Sequence, residues 1–200
     1  MLLPVPDSYN CRHDRTCRKG RRKEMKIYIA RHGQTEWNKQ DKICGLTDVE
    51  LTDEGREQAK ELAKSLKDTD IEVIIASPLK RAVETAGYIS EAINIPVITD
   101  ERLIEQNFGI FEGTYRKGQD FLNNKRNFAC RYPGGESMMQ VAQRTYSFLD
   151  EIRDKYAGKD VLLVCHGGVA RVMRTYFLDV TNEEFFNYSM NNASYEAFEI

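Results

Sequence analysis

Three short apolar runs most constrain how this chain can fold: Lys26-Ile27-Tyr28-Ile29-Ala30, Val73-Ile74-Ile75-Ala76 and Val161-Leu162-Leu163-Val164-Cys165. Each is bounded by polar sequence, and none alternates apolar with polar residues as a strand with one wet face would. Strands of this kind must be covered on both sides, which is the condition of a largely parallel sheet flanked by helices. Pro96-Val97-Ile98 predicts a further short strand and Ser194 to Ile200 a last one.

Helical periodicity fills the intervals. Thr52 caps a helix carrying Ala59, Leu62, Ala63 and Leu66 at three- and four-residue spacing. Ser77-Pro78 reads as an N-cap and a first-turn proline for a helix through Ala82, Ala86, Ile89 and Ile93. A long helix is predicted from Ser137 to Tyr156, and Gly167-Gly168 opens another through Val172, Met173, Tyr176 and Phe177. The expected fold class is α/β, a three-layer α/β/α sandwich around a mostly parallel central sheet.

In such sheets ligands bind beyond the carboxyl ends of the strands. Arg31-His32-Gly33 follows the first strand, Ser77-Pro78-Leu79-Lys80-Arg81 the second, and His166-Gly167-Gly168 the most apolar one. A lone histidine at a strand end is usually structural, and a single arginine is usually a surface ion pair. Two of the chain's three histidines beside glycines, sharing one edge with two arginines, instead describe a pocket for a phosphoryl group. The guanidinium fork matches phosphate oxygens, and helices starting at these strand ends add N–H groups and a positive dipole end. Imidazole, with a reference pKa of about 6.5, is a competent nucleophile at neutral pH, and a second, protonated histidine could balance transition-state charge. Glu105, after the third strand, is placed to protonate a leaving oxygen, although spacing alone fits a solvated loop carboxylate as well.

The bulk properties exclude several classes. Two hundred residues suit one domain, and a net charge of -2 gives no general attraction to nucleic acid. No run reaches the about 18 apolar residues of a membrane span, and the N-terminus lacks a signal-peptide pattern. Five irregularly spaced cysteines predict free thiols and a cytoplasmic protein. Residues 1–24 read as a flexible basic extension crowded with Arg12, Arg15, Arg18, Lys19, Arg21, Arg22 and Lys23, and Met25 is an alternative start. A sharper alternative makes that segment an anion-binding arm, or a metal site of Cys11, His13 and Cys17.

Arg31-His32-Gly33-Gln34-Thr35-Glu36-Trp37-Asn38 resembles the R-H-G-[EQ]-[ST]-x-x-N signature of the histidine phosphatase superfamily, phosphoglycerate-mutase-like branch. The similarity continues, in order, through Gly45-Leu46-Thr47-Asp48, Leu51-Thr52-Asp53-Glu54-Gly55, and Ser77 to Ala86. It then runs through Glu105 to Gly113, Pro133-Gly134-Gly135-Glu136-Ser137 and His166-Gly167-Gly168. The resemblance thus spans nearly all of a domain from Met25 to Ile200, and implies a phosphoglycerate-mutase-like fold. It also implies that His32 is phosphorylated and that Arg31, Arg81 and His166 hold the phosphoryl group. Glu105 would serve as acid and then base, and Asn38, Gly45 and Gly167 would line the phosphate pocket. No metal and no cofactor are implied.

A phosphatase and a cofactor-dependent mutase share the first half-reaction, so these residues do not separate them. Mutases of the branch typically carry Glu-Arg-His-Tyr-Gly where this chain has Glu105-Gln106-Asn107-Phe108-Gly109, and a longer basic segment after it. The short 114–133 segment, read as a cap with an apolar side of Phe121, Leu122 and Phe128, points to hydrolysis. An inactive module that binds a phosphorylated ligand is the alternative of another class. Expected partners are a small phosphorylated metabolite or a phosphoprotein, with neither nucleic acid nor membrane. The sequence carries no signal for oligomeric state.

Overall fold

The computed structural model describes residues 24–200. The expectations for the basic segment before Glu24, the Cys11, His13 and Cys17 grouping included, lie outside the described residues.

Five strands form one sheet: β1 (Lys26–Arg31), β2 (Ile71–Ala76), β3 (Val97–Thr99), β4 (Asp160–Cys165) and β5 (Tyr195–Glu199). Their order is β3-β2-β4-β1-β5. The β1–β4, β2–β4 and β2–β3 pairs are parallel, and β5 alone runs antiparallel, against β1. The most apolar run is β4, in the middle, and all six of its residues are buried.

Helices cover both faces, as the non-alternating strands require. On one face Val161, Leu163 and Cys165 of β4 and Ile27 and Ile29 of β1 pack against α5 (Met138–Lys155) and α6 (Gly167–Arg174). On the other face Leu162, Val164, Tyr28 and Ala30 meet α2 (Asp53–Ser65) and α3 (Lys80–Ile93). The successive residues of β4 thus serve opposite cores, because strand side chains alternate across the sheet. This is the three-layer α/β sandwich expected.

Local signals hold at most helix ends. The Thr52 side chain accepts from Gly55 N, and Ser137 forms a capping box with Gln140. Two boundaries differ. The helix expected to start at Ser77-Pro78 begins at Lys80, with Leu79 in the cap position and no side-chain cap. The helix after Gly167-Gly168 ends at Arg174, so Tyr176 and Phe177 lie in the turns beyond it. Short helices that periodicity did not show are α1 (Glu36–Lys39), α4 (Gln119–Lys125) and α7 (Asn182–Asn187).

The 114–133 segment packs as expected. Phe121 of α4 is buried with Ile43, Phe108 and Tyr132 in a separate small cluster. Phe128 meets the ring of Phe185 edge-on at 5.2 Å. In the main core Phe148 of α5 is 1% exposed. Phe148→Ala is expected to cost about 3–5 kcal/mol through lost contacts and the cavity left behind, read by urea unfolding. A loss below about 1 kcal/mol would mean the helix layer collapses to fill the space.

Candidate active site

The carboxyl ends of β1, β2 and β4 lie side by side, and the residues that follow them meet there. His32 and His166 have ring centroids 5.0 Å apart. Both are buried, as are Arg81 and Glu105. Gly33 lets the turn after β1 sit against α2, since a Cβ there would stand 2.3 Å from Gly55 O.

The ring nitrogens of His32 have distinct roles. Nδ1 lies 2.7 Å from Gly33 O, and a carbonyl can only accept, so Nδ1 carries the proton. Nε2 therefore keeps its lone pair. Burial first, then the charges of Arg81 and Arg31, hold the His32 pKa well below the usual imidazole value. The ring is neutral at neutral pH.

His166 is the mirror case. Its Nδ1 accepts from Arg81 Nε at 3.2 Å, so Nε2 holds the proton and donates to Ser77 Oγ at 2.8 Å. Burial, followed by Arg81 and His32, lowers its pKa well below 6.5. The second histidine, which the sequence offered as a charge-balancing group if protonated, is neutral here because an arginine donates to it. Ser77, expected as a helix cap, accepts this bond as well as a longer one from Leu79 N at 3.4 Å, just ahead of the helix.

Arg81 is the largest fully buried side chain among the described residues. Nη1 donates to Thr47 O at 2.9 Å and Nη2 to Gly45 O at 2.7 Å. Gly45, expected to line the phosphate pocket with its backbone, faces Arg81 with its carbonyl. Arg31 donates through Nη1 to Met190 O, while its buried Nε has no partner. Burial is the main cause that lowers the Arg31 pKa to about 10, which still leaves it charged at neutral pH.

Glu105 sits on the first turn of α6. Oε2 accepts from Gly168 N at 2.9 Å; Oε1 accepts from Gln106 N at 2.8 Å and Val169 N at 3.1 Å. Each carboxylate oxygen has two acceptor sites, so Oε2 retains one free. Gly168 permits this seat, since a Cβ there would lie 2.6 Å from Oε1. Asn38 closes the α1 capping box and receives Asn192 Nδ2 on Oδ1 at 3.1 Å.

Arg31, Asn38, Glu105 and Gly167 line a cavity of about 220 Å³, to which Lys42, Arg116, Lys125 and Arg171 contribute positive charge. Sequence reasoning missed Asn192, whose Nδ2 also bonds His32 O at 3.1 Å and Gly33 O at 3.3 Å. It missed Thr85 too, whose Oγ1 accepts from Gly33 N and donates to Arg81 O. No local pattern marks Asn192; Thr85 lies within the segment already quoted and was not singled out. Cys44, on the cavity wall, and Cys165, next to His166, have thiol pKa values raised by burial to about 11 and about 12, so both remain protonated and suit packing. Among the described residues no group of three His, Cys, Asp or Glu side chains gathers as a metal would require.

A neutral histidine with a free Nε2, ringed by arginines at the carboxyl edge of a parallel sheet, defines a site for handling phosphoryl groups. Residues 27–200 match the model of the histidine phosphatase superfamily, branch 1, and the chain belongs to that family. It is 34% identical over 178 residues to phosphoserine phosphatase 1 of Hydrogenobacter thermophilus, covering 86% of this chain and 84% of that one. It is 35% identical over 150 residues to a probable phosphoglycerate mutase of Escherichia coli, covering 72% and 70%. Among solved structures, a mycobacterial glucosyl-3-phosphoglycerate phosphatase superposes with a TM-score of 0.79 at 28% identity. That match covers 87% of this chain and 89% of that one.

Gly168→Ala is expected to push Glu105 off its N–H seat and lower kcat/KM on an alkyl phosphate by about 100-fold. The unfolding temperature, measured alongside, should fall by only a few degrees. Undiminished turnover would show that the position of this carboxylate does not matter to the reaction.

Proposed function

We propose that the chain is a metal-independent phosphomonoester hydrolase that passes the phosphoryl group through His32. The observation that carries this reading is the bond between His32 Nδ1–H and Gly33 O, which leaves Nε2 unprotonated beside Arg81 and Arg31. In the first half-reaction the Nε2 lone pair forms a P–N bond as the ester P–O bond breaks, and Glu105 gives its proton to the leaving oxygen. In the second, Glu105 takes a proton from water, the water oxygen attacks phosphorus, and the P–N bond returns its electrons to Nε2.

Arg31 and Arg81 balance the charge on the equatorial oxygens. Arg31 does so with the Nε that has no partner in the fold. Asn38 and the N–H of Gly167 add donors, and His166 offers the Nε2–H that Ser77 accepts in this structure. Gly45 acts through Arg81, whose guanidinium its carbonyl fixes. Residues 25–200 work as one phosphatase domain, with 114–133 as its cap. The relatives named for phosphoserine and glucosyl-3-phosphoglycerate support a small phosphorylated metabolite as substrate. No helix among the described residues is long and apolar enough to cross a membrane, and free thiols at Cys44, Cys130 and Cys165 favour a reducing compartment, the cytoplasm.

The test is release of inorganic phosphate from a panel of phosphomonoesters, in excess EDTA, with His32→Ala run beside the wild type. Release by the wild type and none by the mutant is the expected result. A strict need for added Mg²⁺ would sink the metal-independent reading. The mutase alternative, favoured by the relative named as a probable phosphoglycerate mutase, predicts isomerisation of 3-phosphoglycerate with no net phosphate. Glu105→Gln should slow alkyl phosphates about 100-fold or more and nitrophenyl phosphate far less, because nitrophenolate leaves without a proton. Equal loss on both would remove Glu105 from the acid role.

A further inference from the structure

Asn192 stands in the turn before β5, and its side-chain NH₂ faces three acceptors around the nucleophile. Nδ2 lies 3.1 Å from His32 O, 3.3 Å from Gly33 O and 3.1 Å from Asn38 Oδ1. Two of these are backbone carbonyls, which only accept, so the amide is oriented with its nitrogen toward the loop. Its two hydrogens serve all three acceptors, one of them shared.

The turn itself is shaped for this contact. Ala193 has a φ of 47°, a left-handed conformation uncommon for a residue with a Cβ, and its N–H donates to His32 O at 3.1 Å. Ser194 O accepts from Arg31 N at 3.0 Å. Asn192, Ala193 and Ser194 thus bind the chain through Arg31, His32 and Gly33.

Gly33 is the reason such holding matters. A residue without a Cβ has wide backbone freedom, so the peptide planes on its two sides can turn unless their ends are bound. In the first plane His32 O accepts from Asn192 and Ala193, while Gly33 N donates to Thr85 Oγ1 at 3.1 Å. In the second, Gln34 N donates to Gln58 Oε1 at 3.0 Å, and Gly33 O accepts from both Asn192 and His32 Nδ1. A neutral imidazole has two tautomers, and the acceptor beside Nδ1 selects the one with a free Nε2. The position of Gly33 O therefore decides where the His32 proton sits.

We propose that Asn192 is a positioning residue, which holds Gly33 O against His32 Nδ1 and so fixes the tautomer whose Nε2 can attack phosphorus. The kinetic consequence rests on the hydrolase reading; the tautomer does not. The test uses the full chain with isotope-labelled histidine, free of substrate at neutral pH, and reads the ring nitrogens by NMR. His32→Gln assigns the signal among the three histidines. Wild type, Asn192→Ala, Asn192→Asp and Ser194→Ala are compared. Asn192→Asp keeps the side-chain shape without its N–H donors. Ser194→Ala removes the 2.8 Å bond from Oγ to Asn191 O, in the same turn, and leaves the Asn192 contacts in place.

The wild type should hold about nine-tenths of His32 or more in the Nδ1–H form. Both Asn192 variants should raise the share of the Nε2–H form to roughly a third, the shift expected from one lost hydrogen bond. In both, kcat/KM on an alkyl phosphate should fall about tenfold, since the ring loses orientation as well as tautomer. Ser194→Ala should match the wild type in both readouts. An unchanged Nδ1–H form in the two Asn192 variants would overturn the proposal, whatever their turnover. So would an equal shift in Ser194→Ala, which would trace the effect to the turn as a whole. A shift confined to the Asn192 variants, in a protein that hydrolyses no phosphomonoester, would uphold the control of the tautomer while rejecting the hydrolase reading.

Discussion

Arg81 places a guanidinium at 0% exposure inside the protein. Each of its three nitrogens has an acceptor: Gly45 O, Thr47 O and His166 Nδ1. Removing any one acceptor would leave a buried donor unmade, so the loop holding Gly45 and Thr47, helix α3 and the end of β4 are coupled through this one side chain. Its demand also decides the state of His166, which must present a lone pair at Nδ1 and so turns its proton to Ser77. Much of what looks like a collection of site residues is the arrangement required to keep one buried cation satisfied.

The parallel sheet explains why these partners are near one another at all. Residues from 31 to 33, 77 to 81 and 166 to 168 are far apart along the chain. They share an edge because β1, β2 and β4 are adjacent and point the same way. Helix α6 then starts at that edge with its N–H groups exposed, and Glu105 takes two of them. The macrodipole favours a carboxylate there for the same reason that it favours a phosphate nearby.

The features legible in the sequence were those with a local cause. Unbroken apolar runs marked β1, β2 and β4, and Thr52 and Ser137 announced their helices because a cap needs only its own next three residues. Arg31, His32, Arg81, Glu105 and His166 were found because strand ends are where side chains meet. The failures have a common cause in long-range competition. Ser77 read as a cap, but a histidine 89 positions away claims its hydroxyl. Gly45 gave no sign in the sequence that its carbonyl serves Arg81, 36 positions away. Asn192 and Arg171 carried no signal, since their meaning depends on what folding places beside them.

The antiparallel strand β5 has a consequence for the order of assembly. The turn just before it supplies Asn192, which clips the carbonyls of His32 and Gly33 from 160 and 159 positions downstream, and Met190 O, which anchors Arg31. A chain emerging from the ribosome makes its nucleophile early and the clip that steadies it late. Until β5 zips onto β1, the first loop has its residues but not its shape. The loop that carries the nucleophile is thus held in part by residues near the C-terminal end of the sheet.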